Sequence, residues 1–485
     1  MSISGALSSA FSGLTATSRL AEATAANVSN ALTEGFARRE VQLASRSLGK
    51  TGVGVAITGV TRQVDALLLQ DLRLASSHQG GRALFSEALT RVETALGTAD
   101  QSGSLAARIA RLESTVIEAA ARPEAEARLT AVLEAARSLT EGLAQISTVI
   151  ATERQTADRQ IAAEVKRLND SLAGVAELNQ RIRAFAAAGR DTTALLDQRQ
   201  TLVDVIAQAV PVREISRGND QIALYTSAGT LLLDGEPAQF GFTATGMITP
   251  DMTLAAGSLS GLSVNGQPLR TAPSGGRLGE GRLAALFALR DETAPEAQAN
   301  LDALARDLME RVSAPAVDPT RAPGAPGLFT DAGAAFDPLT EPGLAGRLAL
   351  NAAADPDQGG ALWRLRDGLG ATTPGPAGFA GRLTALAEAL AAPRAQASGT
   401  LSPGLRSLSA LAAEIGSAQS AARLGAEAET AFAAARSDTL RSAFLQGGVD
   451  TDQEMQNLLL IEQAYAANAK VFKTADDMIQ TLLGI

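Results

Sequence analysis

The residue types that do chemistry are scarce in this chain. It holds one histidine, His78, and no cysteine among its 485 residues. His78 lies beside Ser76, Ser77, Gly80 and Gly81, a setting that reads as a solvated turn or helix residue, not a general base. One imidazole and no thiolate leave a transition metal almost nothing to bind. Disulfides are excluded outright. Gly49-Lys50-Thr51 resembles the end of a phosphate loop, but the first glycine of that motif is replaced by Ala44 and a strand-like pattern follows. Asp450 and Asp452 ahead of Glu454 suggest a calcium loop at first sight. Their spacing fails the twelve-residue pattern, and acids at a helix N-terminus are favoured by the dipole in any case. No catalytic residue, cofactor or metal ligand is assigned, and the chain is not expected to be an enzyme.

The elements around these residues are organised by the two ends. The last 39 residues, Gly447 to Ile485, open on two glycines. Thr451 with Glu454 reads as a capping box, and a helix follows with no Pro or Gly before Gly484. Its seam is Leu458, Ile461, Tyr465, Asn468, Phe472, Ala475, Ile479 and Leu482. The spacing alternates three and four, as in a helix laid against other helices. Asn468 is the one polar seam residue, and a buried amide in such a seam fixes register. The first thirty residues mirror this with Ile3, Leu7, Ala10, Leu14, Thr17, Ala21, Thr24 and Val28. The small residues allow close approach but bury little area. Paired side by side, the termini gain too little to outweigh the ordering of their backbones. The pair is therefore expected to be frayed in an isolated monomer and to order against neighbouring subunits.

Hydrophobic residues make up 46% of the chain and aromatics 3%, so alanine and leucine do the packing and helices are favoured. A net charge of −10 gives no basic footprint for nucleic acid. The acidic amphipathic helices lack the basic face wanted at a membrane surface. No run of about 18 apolar residues marks a membrane span, and no signal-peptide pattern opens the chain. Export would need a route without a cleaved signal.

The expected fold is mainly α with a small β-rich domain, elongated and multi-domain, its long terminal helices paired as a coiled coil. Residues 1–35 with 450–485 form the terminal assembly unit. Residues 36–209 with 378–449 form an elongated helical bundle, and 210–280 a small β-rich domain. Residues 281–377 carry a helix, a Pro/Gly-rich connection and a short strand returning to the bundle. Within these, Val53, Val55 and Ile57 alternate as a short extended arm, and 123–188 gives one or two helices. Asp197 and Arg199 are read as an ion pair. Asn265-Gly266 is a hairpin turn. Thr293 with Glu296 is read as a capping box that places Pro295 in the first turn of a new helix. Leu301, Leu304, Leu308 and Val312 mark that helix's buried face. Trp363 is read as a packing anchor.

The two ends resemble flagellar axial proteins of bacteria. At the C-terminus the resemblance is carried by Gly448-Val449-Asp450-Thr451-Asp452-Gln453-Glu454-Met455 and Gln463-Ala464-Tyr465-Ala466-Ala467-Asn468-Ala469-Lys470-Val471. At the N-terminus it is carried by Ser12-Gly13-Leu14, Ala26-Asn27-Val28-Ser29-Asn30 and Gly35-Phe36-Ala37-Arg38-Arg39. The interior resembles the hook-associated protein 1 family at Leu195-Leu196-Asp197-Gln198-Arg199, Gly275-Gly276-Arg277-Leu278-Gly279, Leu289-Arg290-Asp291 and Leu301-Asp302-Ala303-Leu304-Ala305. Phe36 departs from the family's usual Tyr. The middle is short for the family, which implies an outer domain reduced or absent.

The resemblance implies a structural subunit at the hook–filament junction, assembled as a ring and exported by the flagellar type III apparatus. The implied partners are further copies of the chain, the hook protein, the second junction protein and an export chaperone on the C-terminal helix. The implied assembly interface is Ile3, Leu7, Leu14, Val28, Leu458, Ile461, Tyr465, Asn468, Phe472, Ile479 and Leu482. The alternatives are another axial component (hook or distal rod) and a secreted coiled-coil adhesin.

Overall fold

A computed structural model describes every residue except 1, 2, 49, 50, 99, 272–275, 484 and 485; for 48, 51–53, 482 and 483 it describes the backbone alone. Gly49 and Lys50 of the loop-like stretch, and Gly275 of the glycine-rich segment, lie outside the described residues.

The chain opens with helix α1 (Ile3–Ser29). Strands β1 (Arg38–Leu48) and β2 (Thr51–Gln63) then pair antiparallel. This hairpin is far longer than the short arm expected from three alternating residues, and it falls inside the stretch assigned to the helical bundle. The alternation is not kept along the strands, because the ladder shifts register between Gln42 and Leu43 and between Ser45 and Ser47.

Helices α2 (Ala66–Leu96), α3 (Leu105–Ala121), α4 (Glu126–Ala187) and α5 (Thr193–Ala209) follow. Asp65 caps α2 by accepting from Leu67 N and Leu68 N, each at 3.0 Å. Ser104 caps α3 through Ala107 N at 3.2 Å. Where one or two helices were expected, α4 is a single helix of 62 residues, about 90 Å long at 1.5 Å per residue. It serves two cores. Leu129, Val132, Leu139, Leu143 and Ile146 pack with α3 and later helices in the first. Ile161, Val165, Leu168, Leu172 and Val175 pack in the second.

That second core also takes in the strands. Strands β3 (Val212–Ser216), β4 (Ile222–Thr226), β5 (Leu231–Asp234) and β6 (Glu236–Pro237) form a four-stranded antiparallel sheet. Strands β7 (Phe240–Gly241), β8 (Leu262–Val264) and β9 (Gln267–Leu269) form a three-stranded one. Asn265 and Gly266 join β8 to β9 with φ of 50° and 77°, the left-handed pair such a two-residue turn needs. Leu224, Leu233 and Phe240 are buried together with α4, so the β region has no core of its own.

Helix α6 (Arg282–Ala288) runs through a π-helical turn, Leu289–Thr293, into α7 (Ala294–Val312). Thr293 has helical φ and ψ and makes no cap hydrogen bond, so the expected capping box is absent. Pro295 has no N–H to give the ladder, and the wider turn lies just ahead of it. Leu301, Leu304, Leu308 and Val312 are each 1% exposed, as their spacing requires.

Residues 313–407 form loops around β10 (Phe329–Asp331), α8 (Leu344–Arg347), β11 (Leu348–Leu350), α9 (Arg364–Asp367), α10 (Gly381–Ala391), β12 (Arg394–Ala395) and β13 (Leu405–Arg406). Trp363 is only half-buried, with the Arg364 guanidinium 5.4 Å from its ring; its neighbour Leu365 enters the core instead. Helix α11 (Leu408–Gln446) returns along α2, and α12 (Thr451–Leu483) ends the fold.

Candidate assembly interface

Helix α1 lies between two partners. On one side is α12, on the other the β1–β2 hairpin. Gly13 faces Asn468, and Arg38, just past the C-terminal end of α1, bonds Glu454 at the start of α12. The two helices are therefore antiparallel. Ser12 Oγ accepts from Val55 N at 3.1 Å. Asn27 is 1% exposed; its amide donates to Arg39 O at 3.0 Å and accepts from Arg39 N at 2.8 Å. The hairpin supplies what the terminal pair alone lacks, a second surface for α1 to bury against.

Along α1, Ala10, Thr17 and Thr24 are buried, while Ile3, Leu7, Leu14 and Val28 are half-buried. On α12, Ala475 is 2% exposed, and Leu458, Ile461, Asn468, Phe472 and Ile479 are half-buried. Tyr465 is 49% exposed and points out of the seam. The Leu482 side chain lies outside the described residues. Asn468 donates to Ala464 O of its own helix at 2.9 Å.

The seam reading missed the apolar residues on the other faces. Phe11 is 63% exposed, Leu459 58%, Leu460 63%, and Met455, Val471 and Met478 about half. The signal was present in Leu458-Leu459-Leu460: three consecutive leucines cannot all face one neighbour on a helix.

At the start of α12 the cap is Asp450, not Thr451. Asp450 Oδ1 accepts from Asp452 N at 2.9 Å and Gln453 N at 3.1 Å. Glu454, freed from a capping box, is 2% exposed and takes Arg38 Nε at 2.6 Å.

Where the terminal unit meets the helical body, α5 presents Asp197. Its Oδ1 accepts from Arg62 Nε at 2.7 Å and Ala37 N at 3.3 Å, and its Oδ2 from Arg39 Nη2 at 3.3 Å. Arg62 Nη2 continues to Gln200 Oε1 at 2.7 Å. The expected Asp197–Arg199 pair does not form, because residues two apart point to different faces of a helix. Arg199 Nη1 instead bonds Asn179 Oδ1 at 2.9 Å. Nearby, burial works to raise the Asp191 carboxyl, but hydrogen bonds from Thr193 and the Arg39 and Arg19 charges outweigh it and hold the group low. Burial pushes Asp204 up despite Arg73 Nε at 2.6 Å.

His78 Nε2 lies 2.9 Å from Glu280 Oε2 on the surface of the body. Among the described residues no group of three or more His, Cys, Asp or Glu side chains could hold a metal ion. Among them, too, no helix is long and apolar enough to cross a membrane.

Residues 89–326 match the model of the flagellar hook-associated protein FlgK helical domain, and residues 444–485 match the flagellar basal body rod FlgEFG protein C-terminal model. Together these take in more than half of the chain. This chain belongs to the flagellar hook-associated protein 1 family. Curated members that it resembles include flagellar hook-associated protein 1 of Escherichia coli, 23% identical over 57% of this chain and 52% of that protein. The Salmonella typhimurium member is 25% identical over 49% of this chain and 44% of its own length. The Bacillus subtilis member is 26% identical over 44% of each. The chain thus spans about half the length of the curated relatives it matches. A solved structure of the flagellar hook junction protein FlgK from Burkholderia pseudomallei aligns over 54% of this chain and 46% of its own, with 20% identity and a TM-score of 0.45.

Proposed function

We propose that this chain is a structural subunit of the bacterial flagellum, seated at the hook–filament junction. Copies form a ring through their terminal helices and present a surface on which filament assembly proceeds. The observation that carries this reading is the antiparallel pair of end helices with Phe11, Leu459, Leu460, Tyr465 and Val471 pointing away from it. Apolar side chains left exposed on α1 and α12 suit contact with neighbouring subunits. The family match at both the helical domain and the C-terminal segment supports the same assignment.

The partners in this reading are further copies of the chain, the hook protein, the second junction protein and an export chaperone that covers α12 before assembly. The location is the flagellum, reached through the type III apparatus. The half-buried seam, from Ile3, Leu7, Leu14 and Val28 to Leu458, Ile461, Asn468, Phe472 and Ile479, holds the unit together, and the outward residues hold the ring. No catalytic role is proposed.

Electron microscopy of a deletion strain, with flagellin assayed in the medium, tests this. Hooks without filaments and shed flagellin are expected. Missing hooks would move the chain into the rod or hook, and intact flagella would favour an adhesin.

A further inference from the structure

We propose that Asp197 is the positioning residue of a polar joint that sets the angle between the terminal unit and the helical body. The joint is built on one face of α5. Asp197, Gln200 and Thr201, spaced three and four apart, share that face. Asp197 alone holds three points of the terminal unit: Ala37 in the neck, Arg39 in β1 and Arg62 in β2. Both strands of the hairpin are thus tied to one carboxylate. The neck passes close beside it. Gly35 has φ +79°, and a Cβ there would stand 2.3 Å from Thr201 Oγ1.

The chain links across this boundary are not helical. Helix α11 stops at Gln446, and Gly447 and Gly448 intervene before α12. Beside the joint, Arg19 Nη2 and Asp191 Oδ2 make only a loose, exposed pair at 3.9 Å. The angle between the two parts therefore depends on the polar cluster. Asp197 is 15% exposed and Arg62 13%, so their attraction is only partly screened by water. Without the carboxylate, the two guanidinium groups would lose their shared counter-charge and turn toward solvent.

The parts themselves do not need the joint. The opposite face of α5 is buried through Val203 and Ile206 in the second core, and the hairpin keeps its own ladder. Loss of Asp197 changes how two folded parts sit, not whether they fold. This inference concerns the monomer and does not depend on the junction reading.

The absence of cysteine makes the test direct. Spin labels are placed by Ser45→Cys on β1 and Ala173→Cys on α4, both exposed sites, and their separation is measured by pulsed electron paramagnetic resonance. One narrow distance distribution is expected in the otherwise unsubstituted chain. Asp197→Asn and, separately, Arg62→Gln should widen it about twofold or more, as removing one partner of a half-buried pair releases the other. Circular dichroism and the thermal midpoint of the body should hold. Asp234→Asn, which weakens only exposed contacts with Arg217 and Tyr225 outside the joint, should leave the distribution narrow. A narrow distribution in both joint variants would overturn the proposal. So would a broad one before substitution, or unfolding of the body in both variants, which would make the cluster part of the core.

Discussion

Gly13 of α1 lies so close to Asn468 of α12 that a Cβ on the glycine would stand 2.6 Å from the amide oxygen. The one polar seam residue and a glycine thus set the approach of the two terminal helices. Asn468 has a flexible side chain, so Gly13→Ala should be tolerated once the amide rotates, helped by alanine's helix propensity. Gly13→Leu cannot be accommodated that way and should cost about 1–3 kcal/mol through overpacking. Filament counts in complemented deletion cells check this. Filaments are expected with Gly13→Ala combined with Asn468→Ala, and none with Gly13→Leu.

Tyr465 and Phe472 should separate assembly from folding. Phe472 is half-buried in the seam, whereas Tyr465 points outward. Tyr465→Asp should abolish filaments while leaving the helix content and the exchange pattern of the monomer unchanged. Phe472→Asp should abolish filaments and also release α1 and α12 in the monomer. Circular dichroism with hydrogen exchange distinguishes the two.

Even unsubstituted, the terminal unit should open more readily than the body. Few of its side chains are fully buried, whereas α4 is lined with buried leucines and isoleucines. Amides of 3–29 and 455–483 should exchange well before those of α4 in a dilute monomer. Equal protection would show that the hairpin already stabilises the pair fully.

Asp158 and Arg290 form an ion pair at 2.7 Å with both side chains 0% exposed. Arg290 also donates to Ser260 O at 2.9 Å and to Asp291, and lies over the Phe242 and Phe287 rings. Asp158→Ala should destabilise the body by about 1–3 kcal/mol, because the buried guanidinium keeps Asp291 but loses its second carboxylate, and Thr245 N loses its acceptor. Denaturant titration measures this, and a loss under about 1 kcal/mol, the size of a surface pair, would contradict it.

Asp367 gives a pH dependence of definite sign. Burial alone would raise its carboxyl, but hydrogen bonds from Arg366 and the Gly375 N–H, with the Arg366 and Arg382 charges, hold it below the ordinary range. A depressed carboxylate contributes stability above its unfolded value of about 3.9. That contribution falls away as pH drops through the folded value. Asp367→Asn should lower stability at neutral pH and flatten the acid limb of stability against pH.

Local pattern was readable in this chain and long-range partnership was not. The stripe Leu301, Leu304, Leu308 and Val312, the Asn265-Gly266 turn and the stop at Gly447-Gly448 follow from periodicity and backbone preference, and the structure has them. The two capping boxes failed for different reasons. Thr293 sits inside a continuous helix widened by a π turn, while at Thr451 the residue before it caps and Glu454 is claimed by Arg38, more than four hundred positions away. Asp197 looked like half of a local pair for the same reason, since nothing near it in the chain announces Arg39 or Arg62. The terminal seam was legible as a stripe. That α1 has a second partner in the hairpin was not, because Ser12 and Asn27 are polar and their role is to bond a strand backbone.

The antiparallel pairing of α1 with α12 also orders events in time. During synthesis α1 emerges well before α12, so it waits without that partner while some four hundred residues are made. A polypeptide broken off before Thr451 carries α1 with no helix to lie against. The outward apolar face needs both helices to take shape, and it is therefore withheld from any chain in which α12 has not yet been made.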